Sequence, residues 1–149
     1  MIEAVSETNI DDVLPLIRSY QAFYNVADIS DERNWEFFSQ FGESNPSGCQ
    51  FLYRENSIAT SFATVYFSYA SSITAKVAIL NDLYVAPGSR GQGIAKQLIE
   101  HCRSFAVKQG ATRLQWVTAE DNLAAQKLYE SLNTNKSTWH FYTYPVNST

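Results

Sequence analysis

Apolar positions along this 149-residue chain follow a helical rhythm first, then an extended one, then a helical one again. Residues 2–5 read as a short strand. The polar run 6–12 can cap a helix that carries Val13, Leu14, Ile17, Tyr20 and Tyr24 at helical spacing. Pro15 is expected near the first turn of that helix, because deeper inside it would delete a hydrogen bond and clash with the preceding turn. This favours Asp11 or Asp12 as the cap. Ser30 is placed to cap a second helix through Trp35, Phe38 and Phe41, and residues 42–48, with Asn45-Pro46, have loop chemistry. Residues 51–53, 58–69 and 76–85 are rich in β-branched and aromatic side chains separated by turn formers, which predicts an antiparallel meander. Strict alternation in the last of these strands puts Val77, Ile79, Asn81, Leu83 and Val85 on one face, and Ala78, Leu80, Asp82 and Tyr84 on the other. Both faces are largely apolar, as in a central strand covered on each side.

Ile94, Ala95, Leu98, Ile99, Cys102, Phe105 and Ala106 again repeat at helical spacing, with Gly110 placed to end the helix. A strand over 114–119 and a helix capped by Asp121 or Asn122 follow. The helix carries Ala124, Ala125, Leu128, Tyr129 and Leu132, and a final strand is expected over 139–144. With no repeat or linker visible, residues 1–149 are expected to form a single domain of the α/β class.

Charge and cysteine content narrow the possibilities. A net charge of −4 and a pI near 5.1 argue against bulk electrostatic binding of nucleic acid and suit a small cationic partner. Cys49 and Cys102 form neither a C-x-x-C nor a metal-binding spacing, so no metal is expected, and both thiols are expected to pack as small hydrophobes. The first residues lack the pattern of a signal peptide and no long apolar run follows, so no membrane association is expected and the cytoplasm is the default location.

The richest chemistry lies where the strand over 76–85 breaks into Arg90-Gly91-Gln92-Gly93-Ile94-Ala95. A glycine-bearing loop that opens a helix presents unpaired N–H groups to an anion. A dinucleotide fingerprint fails because Lys96 stands where glycine or alanine is needed, and a P-loop fails for want of Lys followed by Ser or Thr. The loop resembles the R-x-x-G-x-G/A signature of the GCN5-related N-acetyltransferase (GNAT) superfamily. Residues 122–130, Asn-Leu-Ala-Ala-Gln-Lys-Leu-Tyr-Glu, resemble that superfamily's N-x-x-A-x-x-L-Y-E helix. The likeness covers residues 62–144 and is nearest to the polyamine (diamine) and small-amine branch.

The resemblance implies an α+β fold whose central sheet is mixed but mostly antiparallel, with helices on both faces. It implies acetyl-coenzyme A as cosubstrate, its pyrophosphate held by Arg90, Gly91, Gln92, Gly93, Ile94, Ala95 and Lys96. Leu83, Tyr84 and Val85 would form the strand template along the pantetheine arm, with Asn122 and Ala125 also on the cofactor. Tyr129, a phenol protonated at neutral pH, would be the acid for the departing thiolate. Tyr24, Asn81, Trp116 and Thr118 would line the acceptor groove, and a homodimer is expected by resemblance. The acceptor is expected to be a primary amine of a small molecule, attacked directly in a ternary complex. A protein or peptide acetyltransferase and a non-catalytic coenzyme A-binding module are the alternatives. An alkylammonium with pKa about 10.4 must lose a proton first, at a cost of roughly 4–5 kcal/mol at neutral pH. Where the polyamine branch carries glutamate, this chain has Asn81, which cannot accept that proton. Asp82, expected on the opposite face, reads as structural, and Glu120, Asp121 and His140 are weaker candidates for the base.

Overall fold

The computed structural model describes residues 1–147, which form two compact units, Met1–Trp116 and a second starting at Val117. In the first, β1 (Ile2–Ala4) leads into α1 (Ile10–Phe23) and α2 (Asp31–Phe38). Then come β2 (Gly48–Glu55), β3 (Ile58–Ala70) and β4 (Ala75–Val85), and after them α3 (Ile94–Lys108) and β5 (Leu114–Gln115).

Helix α1 starts earlier than Pro15 suggests, with Asn9 rather than Asp11 or Asp12 at its cap and Pro15 well inside it. The Asn9 side chain explains this: its Oδ1 accepts from the Ser6 backbone N–H at 2.7 Å, while its Nδ2 donates to Glu3 Oε1 and the Ala4 carbonyl. The early start also buries Ile10 and Val13 completely. Two such side chains contribute about 1.5–3 kcal/mol each, enough to offset the roughly 3 kcal/mol that an interior proline costs. Helix α2 is capped as expected, Ser30 Oγ accepting from the Arg33 N–H at 3.2 Å. Helix α3 ends before Gly110, whose φ of +82° suits the chain reversal there.

The sheet has the order β1-β2-β3-β4-β5, antiparallel throughout except for the parallel β4–β5 pair. Leu52 and Phe62, facing partners on β2 and β3, join Val5, Ile10, Val13, Leu16, Ile17 and Phe38 in the core under α1 and α2. The other face carries Phe51 and Phe67, whose rings meet Phe105 of α3 at 5.1 and 5.8 Å. Helices therefore cover both faces of a mixed, mostly antiparallel sheet, as anticipated. Cys49 and Cys102 are free and buried, and burial pushes both thiols up to about 12. No helix among the described residues is long and apolar enough to cross a membrane.

The alternation expected for β4 does not hold. Thr64 pairs with Asp82 but the next residue, Val65, pairs with Leu80, so Asn81 is an extra residue forming a β-bulge. Cross-strand partners share a face. Ile79 (opposite Tyr66), Asp82 and Tyr84 (opposite Phe62) therefore lie on the α1 face, whereas Ala78 (opposite Phe67), Leu80 and Leu83 lie on the α3 face. The bulge reverses the pattern at Asn81.

Arg54 of β2 clamps the start of the chain, with Nη2 2.8 Å from Glu3 Oε1 and 2.7 Å from Asp12 Oδ2. That guanidinium holds the Glu3 carboxyl below its ordinary value of 4.5. A lowered folded-state pKa means the stabilisation is present above the unfolded value and is lost as pH falls through the folded one. Urea midpoints of Arg54→Ala should consequently fall less steeply than those of wild type as pH drops below that range.

In the second unit α4 (Leu123–Glu130) is capped by Asn122, whose Oδ1 accepts from the Ala125 N–H at 3.2 Å. Gln126 Nε2 donates to the Ala119 and Glu120 carbonyls. Two expectations fail nearby. Strand β5 stops at Gln115 rather than reaching 119, and residues 139–144 form no strand. Trp139, Phe141, Tyr142 and Tyr144 are each more than 80% exposed. Aromatic residues favour strands only through packing on neighbours, and alternation alone supplies no ladder partner.

Candidate active site

The β4–β5 ladder covers only Ala78↔Leu114 and Ile79↔Gln115, so β4 runs on past the end of that ladder through the bulge to Val85. Beyond Val85 a single 3₁₀ turn (Pro87–Ser89) leads into the loop before α3. Gly91 and Gly93 have φ of +77° and +79°, conformations that favour glycine, and neither has an atom within 4 Å of where a Cβ would stand. The α3 start has no side-chain cap and no acidic residue in its first turn, while Lys96 lies in that turn. Exposed glycines, orphan N–H groups and an absence of carboxylate fit a pyrophosphate. Arg90 donates from Nε to the Val85 carbonyl at 2.9 Å, and its guanidinium lies 5.9 Å from the Tyr84 ring centre. The arginine is thereby braced against β4 while remaining exposed.

On the α1 face of the same strand, Asp82 is buried, with only 6% of its surface exposed. Its Oδ1 accepts from the Tyr20 hydroxyl at 2.8 Å and from Asn81 Nδ2 at 3.0 Å, and the Thr64 hydroxyl also bonds to the carboxylate. Burial raises the Asp82 carboxyl above its ordinary value against the pull of these three donors. Tyr20 is walled by Tyr24, Phe62 and Tyr84 at 5.0, 5.6 and 6.2 Å between ring centres. Burial and the adjoining Asp82 hold its phenol well above the ordinary tyrosine value.

Of the expected acceptor-groove residues, Tyr24 and Asn81 are brought into this one cluster, linked through Tyr20 and Asp82. The hydrogen bond from Asn81 to Asp82 overturns the expectation that these two side chains point to opposite faces. Asp82, read as structural from strict alternation, is the residue the pattern misplaced, since only the bulge turns it toward α1. Trp116 is half-buried just after β5, while Thr118 is exposed in the second unit, as are Glu120, Asp121 and His140. Leu83, Tyr84 and Val85 are half-buried at the end of β4, and Tyr129 and Ala125 are half-buried on α4. No group of three or more His, Cys, Asp or Glu placed to hold a metal ion occurs among the described residues.

Comparison with known proteins places this geometry. Residues 14–134 match the model of the acetyltransferase (GNAT) family. The chain is 30% identical to the uncharacterized N-acetyltransferase YhfO of Bacillus subtilis (strain 168), over 79% of this chain and 78% of that protein. It is 28% identical to the thialysine N-epsilon-acetyltransferase of Bos taurus, over 95% of this chain and 90% of the relative. The crystal structure of a probable acetyltransferase superposes with a TM-score of 0.85 at 28% identity, covering 100% of this chain and 99% of that one. With a family match across most of its length, and a glycine loop opening α3 as the family signature requires, the chain belongs to the GNAT family of acetyltransferases.

Proposed function

We propose that this acetyltransferase moves the acetyl group of acetyl-coenzyme A onto a primary amine of a small molecule, by direct attack within a ternary complex. The observation that carries this reading is the buried Asp82 carboxylate, on the strand that runs into the glycine loop and hydrogen-bonded by Tyr20, whose ring is in turn flanked by Tyr24 and Tyr84. An anion edged by aromatic faces is a setting for an alkylammonium, attractive both by charge and by the ring quadrupoles. The net negative charge and the likeness to a thialysine acetyltransferase support the same class. Arg90 and the N–H groups at the start of α3 would bind the coenzyme's pyrophosphate, and Tyr129 would protonate the leaving thiolate.

The test is thiol release across polyamines, amino acids and thialysine, beside a lysine-bearing protein. Turnover of small amines, with kcat lowered at least about tenfold in Tyr129→Phe, is the expected result. Acetylation of the protein lysine alone would overturn the small-amine assignment. Tight coenzyme binding without turnover of any amine would identify a non-catalytic module. Arg90→Ala should raise the KM for acetyl-coenzyme A about tenfold while changing kcat little, since its contact is with a part of the cosubstrate that does not react.

A further inference from the structure

Behind Asp82 the sheet carries a row of buried polar side chains that core packing does not explain. Gln50 on β2 faces Thr64 on β3, and Thr64 faces Asp82 on β4, all three on the α1 face. Gln50 and Thr64 have no exposed surface at all. Gln50 Nε2 donates to Thr64 Oγ1 at 3.2 Å. A hydroxyl has one proton, so Thr64, having accepted from Gln50, directs its own proton to Asp82. The neighbouring row on the same face is Leu52, Phe62 and Tyr84, aliphatic or aromatic throughout.

The far end of the polar row is incomplete. Gln50 Oε1 is buried without a hydrogen-bond partner among the described residues. A buried acceptor left unpaired opposes folding, and an aliphatic side chain of similar volume would avoid that cost. The amide thus sits in the core at the expense of stability and is oriented to fix the Thr64 hydroxyl.

The carboxylate at the near end is built to receive something. An ionised carboxylate offers about four lone-pair positions, and Tyr20, Asn81 and Thr64 account for three. Asn81 is exposed and Tyr20 is half-buried, so two of the carboxylate's partners lie toward solvent.

We propose that Asp82 accepts the proton of the acceptor amine, and that Thr64 and Gln50 are positioning residues that act through it. This rests on the amine-acetylation reading above. One N–H proton of the ammonium passes to Asp82, freeing the nitrogen lone pair. That nitrogen forms a bond to the thioester carbonyl carbon, and the carbon–sulfur bond breaks. The second proton leaves the nitrogen as the departing sulfur gains one. The products are the amide and the free thiol, and Asp82 then releases its proton to solvent, so that one proton is liberated per turnover. The bulge moves the base by one residue: Asn81 stands where the resemblance places glutamate, and Asp82 beside it takes up the task.

The titratable groups facing Asp82 are Tyr20 from α1 and Tyr66 from β3. Burial and Asp82 itself hold both phenols above their ordinary value, and no basic side chain is among the groups that act on the carboxyl. The acid limb of kcat/KM is consequently expected to report Asp82.

The experiment is the pH dependence of kcat/KM for the best small amine with wild type, Thr64→Val and Gln50→Met, beside an NMR titration of the isotope-labelled Asp82 carboxyl. Removing the Thr64 donor should move the acid limb and the carboxyl titration upward together, by about one pH unit. Gln50→Met should move both in the same direction by less, without lowering the urea midpoint, and it carries the test if Thr64→Val does not fold. A carboxyl titration that moves while the acid limb stays in place would overturn the proposal and leave the acetyltransfer reading standing. Absence of thiol release from wild type with every amine would overturn that reading, and this proposal with it.

Discussion

Asp82→Asn is expected to lower kcat/KM at neutral pH by about a hundredfold or more, the usual scale for losing a positioned general base. Its stability should move the other way. Burial raises the folded-state pKa of this carboxyl above its unfolded value, so the ionised form opposes folding at any pH above the folded pKa, and protonation relieves the penalty as pH falls. The substitution removes the charge at all pH values. Tyr20 keeps an oxygen to donate to, and the new amide nitrogen meets a Thr64 hydroxyl that has a second lone pair to offer. The urea midpoint at neutral pH should therefore equal or exceed that of wild type, and the difference should shrink on acidification. An inactive protein of reduced stability would point instead to a structural carboxylate.

Phe62→Ala is expected to cost about 3–5 kcal/mol, a large share of the stability of a domain this size. Phe62 has no exposed surface, sits mid-strand on β3 and joins the core cluster under α1. It also provides one wall for Tyr20, at 5.6 Å between ring centres, and one for Tyr84, at 6.0 Å. Urea unfolding measures the first effect. The second should appear as a fall in kcat/KM under conditions where the variant is still folded, because Tyr20 can then swing away from Asp82. Phe62→Leu fills more of the space and should cost less in both measurements.

Much of this architecture is legible along the chain. Ser30 and Asn122 cap the helices whose starts they mark, Gly110 follows the end of α3, and the apolar stripe of α3 lies on the sheet. These features depend on residues within a turn or two of one another. The misreadings have a different physical origin. Pro15 was outweighed by the burial of Ile10 and by an Asn9 side chain tied back to β1, neither of which a local rule for proline contains. The faces of β4 were inverted beyond Leu80 because a bulge is a property of a strand pair. For the same reason the row Gln50–Thr64–Asp82 cannot be read from residues 14 and 18 positions apart along the chain: it exists only once the register of three strands is set. The tail over 139–144 carries strand-forming residues yet pairs with nothing as a strand.

The extra residue in β4 has an evolutionary reading. If Asn81 were deleted, Leu80 and Asp82 would become consecutive partners of Val65 and Thr64 in an unbroken ladder, each still on its present face. Position 81 thus contributes no side chain to either core layer, and its exposed amide donates to the carboxylate beside it. A carboxylate in place of that amide would withdraw a donor from Asp82 and set a second negative charge beside it while leaving the strand register as it is. Mutational drift at that point alters reactivity first and architecture last, which makes it a place where a lineage of acetyltransferases can diverge while conserving its scaffold.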